Sequence, residues 1–332
     1  MTRAAFWLLS AGALLFVGVL VSQGLPAVLA TLAVAGWGLL LVALFHVLPL
    51  VLDAAAIRVL FVPAQPRSFR DAVLARWAGE SATSLTPGGQ IGGPVLMARH
   101  LAQRGMAMHD AAAAITVSTT LQTLAQMVFA LIGIWLLGAV ASHSLQPAVR
   151  NALWIAGAML AFTVVPFYFV QRRGLFSAVM RAAKRFAGKR DWSVFLSRAE
   201  AIDLAVVQTY ERRGRAAASF LLSLIGWLVG TGEVYLILRL LGSTVDWRDA
   251  LLLESLGQAI RGAAFAIPGS LGVQEGGYLL LAPLAGLSPE TALALSLAKR
   301  TREILLGLPG LLYLHLSERD WRRRLASAPI SE

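Results

Sequence analysis

Long apolar stretches dominate the chain, separated by short groups of polar and turn-forming residues. A helix needs about 20 apolar residues to cross a hydrocarbon core. Six stretches reach that length, at about residues 4–23, 27–52, 108–140, 148–170, 216–241 and 289–316. Two more, 71–103 and 249–285, are interrupted. The first interruption reads Thr86-Pro87-Gly88-Gly89-Gln90-Ile91-Gly92-Gly93, the second Ile267-Pro268-Gly269-Ser270-Leu271-Gly272-Val273-Gln274-Glu275. Proline lacks an N–H and glycine adopts unusual φ/ψ, so both runs break a helix. Lipid cannot satisfy the backbone groups freed there, so such breaks at membrane depth are buried in protein or face a wet cavity. The pattern predicts an all-α polytopic membrane protein with about six transmembrane helices and two re-entrant broken hairpins.

The interruptions belong to an internal repeat. Placing Pro87 on Pro268 aligns Gly105 with Gly286, Ala111 with Ala292, Thr120 with Thr301 and Leu124 with Leu305, without a gap. Upstream, Arg70-Asp71-Ala72-Val73-Leu74 matches Arg248-Asp249-Ala250-Leu251-Leu252 once three residues are inserted. The single membrane domain, 1–332, then divides into a first half, 1–145, a basic segment, 171–215, and a second half, 216–318. Paired interruptions in corresponding positions of two halves are a pointer to a transport site.

Hydrophobic residues make up 57% of the chain and charged residues 14%, which excludes an ordinary soluble domain. The net charge of +11 invites a nucleic-acid reading, but its placement argues against one. Eleven Lys or Arg residues lie between Gln171 and Arg215, and four more in the tail 318–324. Clusters of that kind flanking spans follow the positive-inside rule. They put both termini, the 58–70 link and the basic segment in the cytoplasm. Six crossings satisfy this only if each hairpin returns to the side it entered, which makes the repeat inverted. Eight crossings with fully spanning hairpins also fit the charge bias; the Pro-Gly breaks favour the former. Leu175, Phe176, Val179, Met180, Ala183 and Phe186 recur at helical spacing opposite Arg181, Lys184 and Arg185. They form either an amphipathic helix on the inner membrane surface or a soluble helix packed on the body.

The candidate chemistry is intramembrane. Lys299, about 15 Å along the last span, stands in Lys299-Arg300-Thr301-Arg302-Glu303. Ionisable groups at that depth must face protein or water. Arg261, Glu254 and Glu275 in the second hairpin are candidate neighbours. A cluster with surplus positive charge suits an anionic headgroup held by arginine; internal pairing such as Lys299–Glu303 is the alternative. Thr119, Thr120, Gln122, Thr123 and Gln126 line the opposite wall of a cavity or join helices as polar contacts. Glu80 and Arg76 pair at one-turn spacing, and Glu233 is a proton relay or a satisfied buried acid. Helix amino ends after each turn offer N–H groups to anions. There are no cysteines, and the five histidines form no ligand motif, so neither a metal nor a cofactor is expected.

The stretch Ile267 to Gly277, with Leu287 to Glu303, resembles the flippase-like membrane region of lysylphosphatidylglycerol synthases, and more narrowly its hopanoid-biosynthesis-associated branch. The first hairpin, followed by Ala98-Arg99, is similar. Where the family often carries an acid after the paired glycines of that hairpin, Pro94 stands here. The resemblance implies a bacterial inner-membrane protein that moves or helps to handle a membrane lipid of hopanoid, phospholipid or polyisoprenoid type. The soluble aminoacyl-transfer domain of the full synthases has no counterpart in the sequence, so lysyl transfer is not implied. A non-transporting accessory protein of a lipid-biosynthesis complex is the alternative. An embedded enzyme would need a nucleophile or metal constellation that the sequence does not display. No nucleic-acid partner is expected, and the sequence sets no oligomeric state.

Overall fold

A computed structural model of the chain describes residues 25–62, 68–86, 89–140, 168–186, 193–264 and 270–327, with 151, 155, 158, 162, 166 and 267. The expected first span, the 141–146 link, most of the fourth span and the turn residues Pro87, Gly88, Pro268 and Gly269 lie outside the described residues. Every regular element among the described residues is helical. In order they are α1 (Leu25–Ala35), α2 (Gly38–Val59), α3 (Phe69–Leu85), α4 (Gly89–Gln103), α5 (Met108–Val140) and α6 (Leu175–Phe186). There follow α7 (Ser193–Glu211), α8 (Arg213–Leu240), α9 (Trp247–Ala263), α10 (Val273–Leu281), a 3-10 turn (Ala282–Ala285) and α11 (Pro289–Ser327).

Three helices are long and apolar enough to cross a membrane by length and composition: Gly38–Val59, Met108–Leu137 within α5, and Arg213–Leu240. α11 is longer than any of them, but its Lys299–Glu303 segment lowers its hydropathy. Large apolar side chains point outward from these helices, among them Leu44, Leu131, Trp135, Leu221, Leu308 and Leu312. That is the surface a lipid solvent calls for. The expected second span, 27–52, differs in detail. Gly36 takes a left-handed φ of +47° and separates α1 from α2, which then runs on to Val59. The apolar pattern passes through such a turn without registering it.

Local chemistry explains the interrupted segments. Ser68 caps α3 by accepting from the Arg70 N–H at 3.1 Å, with Asp71 in the first turn. α3 stops at Thr86, which is extended at φ −118° and ψ 141°. That is the conformation imposed on a residue preceding proline. α9 starts with a capping box in which Asp246 and Asp249 bind each other's backbone N–H. α3 and α4 touch at glycines. A Cβ on Gly93 would come within 2.7 Å of the Gly79 carbonyl oxygen and 2.1 Å of Thr83 Oγ1, so only glycine permits this contact.

Contacts recur in the same order along the two parts of the chain. α2 lies against α8, the element in the same place in the other half. α3 packs on α4 as α9 does on α10, and α4 on α5 as α10 does on α11. The leading limb of each hairpin crosses to the other half: α3 packs on α11, and α9 on α5. Both crossings are close. A Cβ at Gly310 would sit 2.0 Å from Ser81 Oγ, and one at Gly133 would sit 2.0 Å from Ser255 Oγ. Outside this arrangement, α6 and α7 form a helical pair, and α7 packs on α5. Asp203 of α7 caps α6 by accepting from the Phe176 and Ser177 N–H groups at 2.9 and 2.8 Å. Gln171 donates to Thr120 at 2.7 Å and accepts from the Tyr210 hydroxyl at 2.9 Å. Burial of Tyr210 pushes its phenol up to about 12. Val179 on α6 remains exposed.

Candidate functional site

A cavity of about 400 Å³ lies where α2, α3, α4, α5, α8, α9 and α11 converge. Nine ionisable side chains line it: His46, Asp53, Arg76, Glu80, Glu233, Glu254, Arg261, Arg302 and Glu303. Thr119, Gln122, Thr123 and Gln126 form the α5 wall, and Gln90 and Pro94 contribute from the first hairpin. Ionisable groups this deep are costly unless each is paired and hydrogen-bonded. The structure meets that condition with three linked clusters.

The first joins the two halves. Asp53 accepts from Arg76 Nη2 at 2.8 Å and from Gln122 Nε2 at 2.6 Å. Arg76 lies 3.5 Å from Glu80, one turn along α3. His46 stands between two acids, with Nε2 2.8 Å from Glu80 and Nδ1 2.5 Å from Glu233. Arg302 closes the group by donating from Nε to Glu233 at 3.2 Å. The second cluster is centred on Glu254, which accepts from Lys299 at 2.6 Å, Gln258 at 2.9 Å and the Tyr278 hydroxyl at 3.2 Å. The third contains Arg261 and Arg300. Arg261 pairs with Glu303 at 3.0 Å and donates to Gln274 at 3.1 Å. Arg300 pairs with Glu303 at 3.2 Å and with Glu275 at 3.3 Å.

The sequence-derived candidates therefore fall in two places. Glu80, Thr119, Gln122, Thr123, Gln126, Glu233, Glu254, Arg261, Arg302 and Glu303 face the cavity. Glu275, Lys299 and Arg300 are not among its lining residues; they are held in the protein behind it, and Glu275 is fully buried. Thr120 turns to Gln171 and away from the cavity. Gly89, Gly92 and Gly93 lie in α4, and Gly272, at φ +76°, leads into α10.

Three expectations need correction. The charge is not in cationic surplus, because six carboxylates (Asp53, Glu80, Glu233, Glu254, Glu275, Glu303) face five permanent cations (Arg76, Arg261, Lys299, Arg300, Arg302). Two of the acids lie on helices whose proximity to α11 the sequence does not display. Lys299 pairs with Glu254 of α9, not with Glu303 one turn along its own helix. At the amino end of α10 the chain's own carboxylate stands where an anion was expected, since Glu275 accepts from the Gly272 N–H at 2.7 Å. Its other oxygen accepts from Ser296 at 2.8 Å.

Sequence reasoning passed over His46 and Asp53. The signal was present: two ionisable groups in one apolar run, seven residues apart and so on one helix face, are functional candidates by default. Among the described residues no group of three or more His, Asp or Glu is arranged to hold a metal ion.

No curated protein and no solved structure matches the chain. The model of the family described as the lysylphosphatidylglycerol synthase TM region matches residues 6–310. An all-helical body with an ionic core suits a membrane region of that kind, and the match leaves few residues uncovered at either end. The chain is a multi-pass membrane protein and belongs to the family of lysylphosphatidylglycerol synthase transmembrane regions.

Proposed function

We propose that this protein moves a lipid between the leaflets of the bacterial inner membrane without altering it chemically. The observation that carries the reading is the cavity, in which ionisable side chains from both halves surround space between the two hairpin limbs. A polar headgroup passes through such a space while its apolar tail stays in lipid. The headgroup meets Arg261 and Arg302 at the cavity wall, and Arg76 keeps a buried Nε with no hydrogen-bond partner. An anionic oxygen reaches Arg261 by displacing Glu303, which keeps its pair with Arg300. Lipids of hopanoid, phospholipid or polyisoprenoid type present suitable headgroups. Contacts that exchange between halves support an inverted repeat with hairpins entering from opposite sides.

The test uses purified protein in vesicles containing a fluorescent phosphatidylglycerol. The protein should redistribute the probe between leaflets, mass spectrometry should find it unchanged, and Arg261→Gln should slow the process at least about tenfold, as loss of a charged hydrogen bond predicts. An inert protein would favour the accessory role, and a covalently altered lipid would favour an enzyme.

A further inference from the structure

Among the described residues of the ionic core, His46 is the one side chain of a type that ordinarily titrates near neutral pH, so its proton sets whether the charges balance there. With six carboxylates and five permanent cations, the core carries one net negative charge when His46 is neutral and none when it is an imidazolium. A buried net charge is costly, so the core has two states separated by one proton.

The geometry shows what that proton holds. With both ring nitrogens protonated, Nδ1 donates to Glu233 of α8 at 2.5 Å and Nε2 donates to Glu80 of α3 at 2.8 Å. The imidazolium then ties the leading limb of the first hairpin to the second half. Arg302 Nη1 lies 3.3 Å from the same Nε2. An arginine cannot donate to a nitrogen that bears a proton. Only after Nε2 gives its proton to water does its lone pair become an acceptor for Arg302. Glu80 then loses its donor on the ring and keeps two arginines, Arg76 at 3.5 Å on its own helix and Arg302 Nη1 at 3.8 Å on α11. The two partners of Nε2 are therefore alternatives.

We propose that His46 is a proton-binding latch: its imidazolium ties the first hairpin to α8, and deprotonation hands Nε2 to Arg302 and releases that tie, leaving the hairpin held on its α11 side alone. The charged groups around the latch come from every helix that packs there. They are Glu80 and Arg76 on α3, Glu233 on α8, Arg302 on α11, and Asp53 on α2 itself. α5 presents the neutral Gln122 and Gln126 to the same cavity. The inference rests on the lipid-moving reading for its purpose, since a hairpin limb that borders the cavity and is held by one proton gates it and supplies a route for proton coupling.

The absence of native cysteines makes the test direct. Ser84→Cys places a thiol on the cavity wall, one turn beyond Glu80 on α3. Its labelling by a water-soluble maleimide is measured in phosphatidylglycerol/phosphatidylethanolamine vesicles between about pH 5 and 9. The rate is normalised to exposed Ser197→Cys, so that thiolate chemistry cancels. The normalised rate should rise about tenfold in one single-proton step as pH increases, the change expected for losing one charged hydrogen bond. Both His46→Gln and Glu80→Gln should flatten the curve, and either suffices if the other does not fold. A flat curve in the parent, or a step that persists in Glu80→Gln, overturns the latch. Leaflet redistribution of fluorescent phosphatidylglycerol in the same vesicles separates the two ideas. A labelling step without redistribution leaves the latch standing and removes lipid movement; redistribution without a step does the reverse.

Discussion

Lys299→Met cuts the second ion cluster at one side chain. The lysine side chain is 2% exposed and that of Glu254 4%, so neither can turn to solvent when its partner is lost. The substitution is close in volume and leaves the packing against Tyr278 largely intact. Its cost is therefore electrostatic: a buried carboxylate keeps only Gln258 and Tyr278 as donors. Breaking a buried pair from one side costs about 3–5 kcal/mol, and the two remaining donors put the expectation at the lower end, about 3 kcal/mol. Adding Glu254→Met removes the stranded charge but leaves two polar groups short of a partner, for a net loss of about 1–2 kcal/mol. The double variant should thus be more stable than the single. The assay is equilibrium unfolding in mixed detergent micelles followed by tryptophan fluorescence, with circular dichroism as a second probe. A single variant losing less than about 1 kcal/mol, or a double variant no more stable than the single, would refute the assignment of Lys299 as the structural partner of Glu254.

The hairpin contact gives a second expectation. Gly93→Val should destabilise the protein by about 1–3 kcal/mol, since the added atoms meet Gly79 backbone and Thr83; an unchanged unfolding midpoint would show that α3 and α4 do not cross there. For the inverted arrangement, single cysteines at Ser197 and Thr244 should react with impermeant maleimide from opposite membrane faces, and labelling from one face would remove it. Beyond the apolar part of α11, Glu318 clasps α4 by accepting from Gln103 at 2.6 Å and from Arg99, with Arg322 3.2 Å away. Desolvation works to raise its pKa, but the hydrogen bonds from Gln103 and Arg322 and the charge of Arg99 outweigh it and bring the carboxyl below its ordinary 4.5. A depressed folded-state value means that the clasp contributes fully above about pH 4.5 and is lost as pH falls through the folded value. Hydrogen exchange at the end of α11, taken as a ratio to Glu318→Gln, should fall to unity on acidification; a ratio independent of pH would show that the clasp does not stabilise the helix end.

Membrane character, helix content and the two broken segments could be read from order along the chain, because each depends on neighbours in sequence. Apolar run length sets what crosses lipid, Ser68 and Asp246 start helices with their own side chains, and Pro87 forces Thr86 out of the helix. The charged candidates on α11 were visible for the same reason, being ionisable groups inside an apolar run. Their partners were not. His46 and Glu233 meet across 187 positions, and Lys299 and Glu254 across 45. The first forms where α8 meets α2 at Gly232, whose Cβ, if present, would lie 2.6 Å from the Phe45 ring. A sequence shows that a buried charge needs a counterion, since desolvation demands one. Which acid answers which base, and whether the core ends neutral or short of one proton, was decided only when seven helices closed around the same space.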